Sequence, residues 1–146
     1  MYNIGMESKD SRPFKSQNHY VYSCKYHIVW CPKYRRKVLV NGVDARLKEL
    51  IYQLTDEEGS EVLELEVMPD HVHLLVEVPP SIAPLDYIKH IKRQTATILK
   101  REFPKIKATL PSMWTRSVFI STVGGAPLEI VNQYVANQKR RVNKKK

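Results

Sequence analysis

Residues 61–78 constrain the fold of this chain more than any other segment. Apolar and acidic side chains alternate along Glu61–Met68 (EVLELEVM), which is typical of a half-buried strand. Pro69-Asp70 then turns the chain, and His71–Val78 (HVHLLVEV) has the β-branched, apolar composition of a second strand. Because the link between them is so short, the two segments are predicted to pair as an antiparallel hairpin.

Two more strands and three helices are predicted around this hairpin. Aromatic and β-branched residues predict a first strand at Tyr20–Cys31 and a fourth at Trp114–Val123. Helical spacing of apolar residues predicts helices at Val43–Glu58, from Pro84 to Pro104, and from Pro127 to about Lys139. The order indicates an α+β, ferredoxin-like fold, a four-stranded antiparallel sheet with helices on one face. The last helix is additional.

The charge is concentrated at the C-terminal end. The net charge is +9, and six of the nine excess positive charges lie in residues 139–146. A net positive charge of this size favours a polyanionic partner, although a tail that only increases solubility would have the same composition. We therefore divide the chain into a flexible N-terminal arm (1–18), one folded domain (19–139) and a basic tail (140–146).

Several cellular settings are disfavoured. Apolar runs are too short to span a bilayer, no amphipathic anchor accompanies the tail, and residues 1–18 lack the apolar centre of a secretory signal. Cys24 and Cys31 have an odd separation, so on one strand they point to opposite faces and are not expected to pair. Free thiols without a signal indicate a cytoplasmic protein that does not associate with membranes.

The motif with the clearest chemistry is His71-Val72-His73. Residues two apart on a strand project from the same face, so both imidazoles can approach one cation. Neutral imidazole is a common metal ligand. Two unrelated histidines would produce the same short motif, and this alternative stays open at this point.

Tyr134 and Gln138 are four residues apart on the last predicted helix and therefore share a face. A free tyrosine has a pKa of about 10 and is a poor nucleophile unless it is activated. A metal that polarises a phosphate would reduce that demand, and the amide oxygen of Gln138 suits Mg²⁺ or Mn²⁺. A tyrosine that simply rests at the margin of the core is the alternative.

Basic and aromatic residues alternate at the end of the first strand. Cations contact phosphates and aromatic rings stack on unpaired bases, although a strand followed by solvated charges has the same appearance. His27 is interpreted as packed or hydrogen-bonded rather than catalytic. The candidate nucleic-acid contacts, including two from the second helix, are Lys33, Tyr34, Arg35, Arg36, Lys92 and Arg93.

These motifs together resemble one family, the single-tyrosine transposases of the HUH superfamily (IS200-like), where HUH denotes His-hydrophobe-His. The resemblance rests on Tyr26–Arg35 (YHIVWCPKYR), Glu66–Leu75 (EVMPDHVHLL) and Ile130–Gln138 with its tyrosine. It extends from about Tyr20 to Gln138. The sequence contains no P-loop and no GxSxG elbow that would indicate a different chemistry.

The resemblance implies a ferredoxin-like homodimer that cuts single-stranded DNA beside hairpins at the ends of its element. It implies that His71, His73 and Gln138 hold one Mg²⁺ or Mn²⁺ ion and that Tyr134 is the nucleophile. The tyrosine would keep the 5′-phosphate and release a 3′-hydroxyl that later rejoins strands. No nucleotide cofactor is implied, because the covalent link preserves the phosphodiester energy.

Two alternatives remain at the level of sequence. A host-domesticated relative that processes repeated palindromes would carry the same catalytic residues. A non-catalytic, RRM-like module for single-stranded nucleic acid would share the fold, but it requires an RNP1-type aromatic motif that the sequence lacks.

Overall fold

A computed structural model of the protein describes residues 14–17, 20–124, 132, 133, 135 and 136. The strands are β1 (Lys15–Gln17), β2 (Tyr20–Tyr22), β3 (Lys25–Trp30), β4 (Glu61–Met68), β5 (His71–Glu77) and β6 (Phe119–Thr122). The helices are α1 (Val43–Glu57), α2 (Pro84–Glu102) and α3 (Pro104–Thr109), with a 3₁₀ turn at Lys33–Arg35.

Four of these strands form the main sheet, in the order β4-β5-β3-β6, and every neighbouring pair is antiparallel. Apart from the 3₁₀ turn and the short helix α3, the order of elements from β3 to β6 is strand, helix, strand, strand, helix, strand, as predicted from the sequence. Within the described residues the chain is thus a mixed α+β protein. The predicted hairpin is confirmed, with Met68 opposite His71 at its turn.

The core lies between the sheet and helices α1 and α2. Ile28, Val72 and Leu74 project from the sheet and are completely buried, as are Leu47 of α1 and Ile91 of α2. Burial of each such side chain contributes about 1.5–3 kcal/mol. Because side chains alternate along a strand, the residues between these positions project from the other face of the sheet.

The first predicted strand, Tyr20–Cys31, is wrong as a single element. Its beginning, β2, pairs with β1 in a separate two-stranded sheet, and only Lys25–Trp30 joins the main sheet. At the break, the backbone N–H of Cys24 donates to the buried carboxylate of Glu77, which is far along the chain. That amide therefore has no strand partner. β1 also lies inside the predicted N-terminal arm.

The fourth predicted strand begins later than expected, at Phe119 instead of Trp114. Trp114 forms only an isolated bridge with Pro32. The carbonyls of Thr115 and Ser117 accept hydrogen bonds from the ammonium of Lys92, at 2.7 and 3.2 Å, so this stretch is held away from the sheet.

The end of the second predicted helix is confirmed, but α3 was not predicted. Pro104 stops α2 and also starts α3, because proline suits the first position of a helix. No helix in the described ranges is long and apolar enough to cross a membrane.

The predicted last helix is described only at Asn132, Gln133, Val135 and Ala136, which are helical. Tyr134, Gln138 and the basic tail lie outside the described residues, as does most of the N-terminal arm.

Candidate metal centre on the histidine face

Three histidines project from the side of the main sheet that α1 and α2 do not cover. We call this side the histidine face, and it carries His27 of β3 with His71 and His73 of β5. The register places His73 opposite Val29 on one side and Glu66 on the other. Val72, between the two histidines of β5, is buried in the core. The predicted shared face of His71 and His73 is thus what the structure shows.

A carboxylate fixes the ring of His71. Asp70 Oδ1 lies 2.9 Å from His71 Nδ1, and Asp70 Oδ2 accepts a hydrogen bond of 2.9 Å from Arg35 Nη2. The hydrogen bond to His71, with help from the charge of Arg35, lowers the pKa of the Asp70 carboxyl. An ionised carboxylate can only accept hydrogen bonds, so Nδ1 of His71 carries the proton. Its Nε2 then has a free lone pair.

His73 has a different partner, the imidazole of His27. His73 Nε2 lies 3.2 Å from His27 Nδ1, and the two rings stack with centroids 5.3 Å apart and planes inclined by 21°. The sequence interpretation of His27 as a packed or hydrogen-bonded residue agrees with this. Its particular partner was missed, because the contact depends on how β3 and β5 are paired across a long stretch of chain.

The two histidines of β5 fit the requirements of a divalent metal ion, but they are not a full ligand set. Both side chains are partly accessible, and both lie on one face at the start of a strand. Metal-bound histidines commonly donate a hydrogen bond from their second ring N–H to a carboxylate, as His71 does to Asp70. Within the described residues no group of three His, Cys, Asp or Glu side chains could hold a metal ion. A third protein ligand would have to come from elsewhere, and the predicted one, Gln138, lies outside the described residues.

The loop that follows β3 brings cations and one aromatic ring to the same edge of the sheet. We call Lys33, Tyr34, Arg35 and Arg36 the basic loop. Tyr34 and Arg35 have positive φ angles of 60° and 51°, and non-glycine residues in this region carry about 1–3 kcal/mol of strain each. The ring of Tyr34 is 75% exposed. The loop is held by a hydrogen bond of 2.7 Å from Lys33 N–H to Met113 C=O and by the ion pair of Arg35 with Asp70.

The other two candidate DNA contacts lie apart from the basic loop. Lys92 and Arg93 are on α2, which packs on the face of the sheet opposite the histidines. Lys92 is half-buried and binds the two backbone carbonyls described above, and burial lowers its pKa. Two of the three N–H donors of its ammonium are thereby used to hold the segment before β6 in place. Arg93 is exposed and contacts His90 at 3.3 Å.

Comparison with known proteins gives a consistent result. The sequence profile described as "Transposase IS200 like" matches residues 20–138. The ISDra2 transposase TnpA of Deinococcus radiodurans is 37% identical over 121 residues, covering 82% of this chain and 86% of the relative. The transposase for insertion sequence element IS200 of Salmonella typhimurium is 30% identical over 126 residues, covering 85% and 82%.

Solved structures agree with the sequence relatives. The crystal structure of a protein from Deinococcus radiodurans R1, assigned as a transposase, superposes with a TM-score of 0.70 at 35% identity and covers 85% of this chain and 97% of that one. A REP-associated tyrosine transposase bound to a REP hairpin shares the fold, with a TM-score of 0.55 at 15% identity and coverage of 83% and 67%. With the HxH motif on its strand and matches over most of its length, the chain belongs to the IS200-like transposase family.

Proposed function

We propose that this transposase cuts and rejoins single-stranded DNA with Tyr134 as the nucleophile and with one Mg²⁺ or Mn²⁺ ion held by His71, His73 and Gln138. Family membership supports the reaction class, DNA cleavage and rejoining. The observation that carries the metal site is the pair of partly accessible imidazoles on one face, one of them oriented by the carboxylate of Asp70.

The proposed reaction is two successive transesterifications. The phenolic oxygen of Tyr134 attacks the scissile phosphorus, and the bond from phosphorus to the 3′-oxygen breaks. The phenol gives up its proton as it attacks, and the leaving oxygen takes up one proton and becomes a 3′-hydroxyl, while the 5′-phosphate stays on Tyr134. A 3′-hydroxyl later attacks that phosphotyrosine and restores both the phosphodiester and the phenol. The bound cation would act as a Lewis acid on the phosphate oxygens.

The residues of this chain prepare the site before any DNA arrives. Asp70 keeps the proton of His71 on Nδ1, so Nε2 is directed away from the carboxylate with its lone pair free. Arg35 binds the other oxygen of the same carboxylate and thereby connects the site to the basic loop. Lys33 and Arg36 would contact phosphates, and the exposed Tyr34 would stack on an unpaired base.

The partners implied by this proposal are single-stranded DNA with hairpins near the ends of the element and a second copy of the chain. A domesticated relative that processes repeated palindromes would use the same residues, so the identity of the substrate strand separates the two. A binding module of the RRM type would bind a strand without reacting with it.

Covalent capture tests the proposed reaction directly. We expect the protein, mixed with 3′-labelled single strands copied from the DNA that flanks its own gene, to form a labelled adduct on a denaturing gel. The adduct should require Mg²⁺ or Mn²⁺ and disappear with excess chelator. The complementary strands serve as the control. Binding of a strand without any adduct would contradict the reaction and favour a binding module.

Asp70→Ala should weaken metal binding by about 10–100-fold. Loss of a group that hydrogen-bonds to a metal ligand typically lowers metal affinity by this factor. Binding of Mn²⁺ can be followed by electron paramagnetic resonance or by calorimetry in the absence of DNA. Asp56→Ala removes an exposed carboxylate at the end of α1 and is the matched control. Equal Mn²⁺ affinity in the Asp70 variant and the wild type would show that Asp70 does not orient a metal ligand.

A further inference from the structure

We propose that His27 is a positioning residue, which holds the imidazole of His73 in the tautomer that leaves Nδ1 free for a cation while the contact between the two rings is kept. The inference rests on the metal site proposed above and adds a residue to it. His27 would do for His73 what Asp70 does for His71, from a different strand.

The contact is well defined by its geometry. His27 Nδ1 and His73 Nε2 are 3.2 Å apart, and the rings are stacked with an interplanar angle of 21°. His27 lies on β3, which has hydrogen-bonded strands on both sides, with Leu75 and Ser121 as its cross-strand partners. The backbone that carries the His27 ring is therefore fixed, and a stacked neighbour limits rotation of the His73 ring.

The proposed metal site determines which of the two rings must donate. A neutral imidazole has one N–H and one lone pair, so the contact needs a donor on one ring and an acceptor on the other. If His27 Nδ1–H donated, the lone pair of His73 Nε2 would be used and its proton would sit on Nδ1. Neither nitrogen of His73 could then bind a cation.

The opposite arrangement leaves His73 able to bind a cation. If His73 Nε2–H donates to the lone pair of His27 Nδ1, the Nδ1 of His73 is free for a cation. The proton of His27 is then on its own Nε2. A metal site at His71 and His73 that keeps this contact thus requires His27 to be the acceptor. His73 has no carboxylate partner in the described structure. Its hydrogen bond to His27 would orient the ring in the way that Asp70 orients the ring of His71.

Three variants test the proposal by Mn²⁺ binding without DNA. His27→Leu keeps a side chain of moderate size but removes the acceptor, and we expect Mn²⁺ affinity to fall by about 10–100-fold. His27→Asn retains an acceptor oxygen near the position of Nδ1 and should recover most of the affinity. Ser121→Ala changes the cross-strand neighbour of His27 and is the control. In the described structure the Ser121 hydroxyl donates to the carbonyl of Thr122 and not to His73, so this variant should bind Mn²⁺ like the wild type.

Nitrogen-15 NMR of the imidazoles in the metal-free wild type gives a second measurement that requires no variant. At mildly alkaline pH we expect His73 to carry its proton on Nε2. A His73 proton on Nδ1 would overturn the proposal, and so would equal Mn²⁺ affinity in wild type and His27→Leu. In the latter case the metal site itself would stand. Absence of Mn²⁺ binding by the wild type would instead overturn the metal site and the inference with it.

Discussion

Tyr134→Phe abolishes the covalent protein–DNA adduct and leaves hairpin binding within about a factor of two of the wild type; this is the largest effect we expect. The substitution removes a single oxygen, the proposed attacking atom, and no other group on the chain is proposed to replace it. Loss of a nucleophile typically lowers the rate at least about a thousandfold. Gel capture measures the adduct, and a mobility shift of the labelled hairpin measures binding.

The matched control for this experiment is Tyr20→Phe, which removes the same atom from an exposed tyrosine on β2. We expect that variant to form adduct at the wild-type rate. Because hairpin binding is measured on the same samples, loss of the adduct through misfolding would be visible as loss of binding. Persistent cleavage by Tyr134→Phe would exclude Tyr134 as the nucleophile.

Removal of either proposed strand ligand, by His71→Ala or His73→Ala, should produce the second largest effect. With one imidazole missing, the remaining ligands hold the cation too weakly to polarise the phosphate, so we expect cutting to fall at least about a thousandfold. Both side chains are only partly buried and lie outside the main core, so the fold should be retained. Adduct formation and Mn²⁺ binding are the two measurements.

His90→Ala is the control for these variants, since His90 lies on α2 on the far side of the sheet. It should cut and bind Mn²⁺ like the wild type. Two results would defeat the metal hypothesis. One is wild-type cutting that continues unchanged in excess chelator, and the other is unchanged Mn²⁺ binding in both strand variants.

The alternation of side chains was enough to predict the hairpin and the face on which its histidines lie. Glu61–Met68 has period two, His71–Val78 has the apolar, β-branched composition of a strand, and a short turn leaves little freedom in how they pair. The same local information places Val72 in the core and His71 and His73 outside it. The family was also recognisable, because three motifs in the correct order are specific, and the profile match over residues 20–138 confirms it.

Long-range pairing was not predictable in the same way. The contact of His27 with His73 joins residues 46 positions apart, and only the register of β3 against β5 reveals it. At the break after β2, the carboxylate of Glu77, far along the chain, accepts a hydrogen bond from the backbone N–H of Cys24. The local sequence pattern places Cys24 inside a continuous strand. The hydrogen bond of Lys92 to the carbonyl of Thr115 was not predicted either, because it depends on the path of the chain before β6. Tyr134 and Gln138 remain predictions.

The shared carboxylate of Asp70 has a consequence for how substrate and metal influence each other. Arg35 cannot give the same guanidinium fully to Asp70 and to an incoming phosphate, so a strand that recruits Arg35 changes the charge that His71 experiences. Whatever free energy the strand thereby adds to or removes from cation affinity, the cation must add to or remove from strand affinity. Loading of metal and loading of DNA are therefore expected to be thermodynamically linked through a single aspartate.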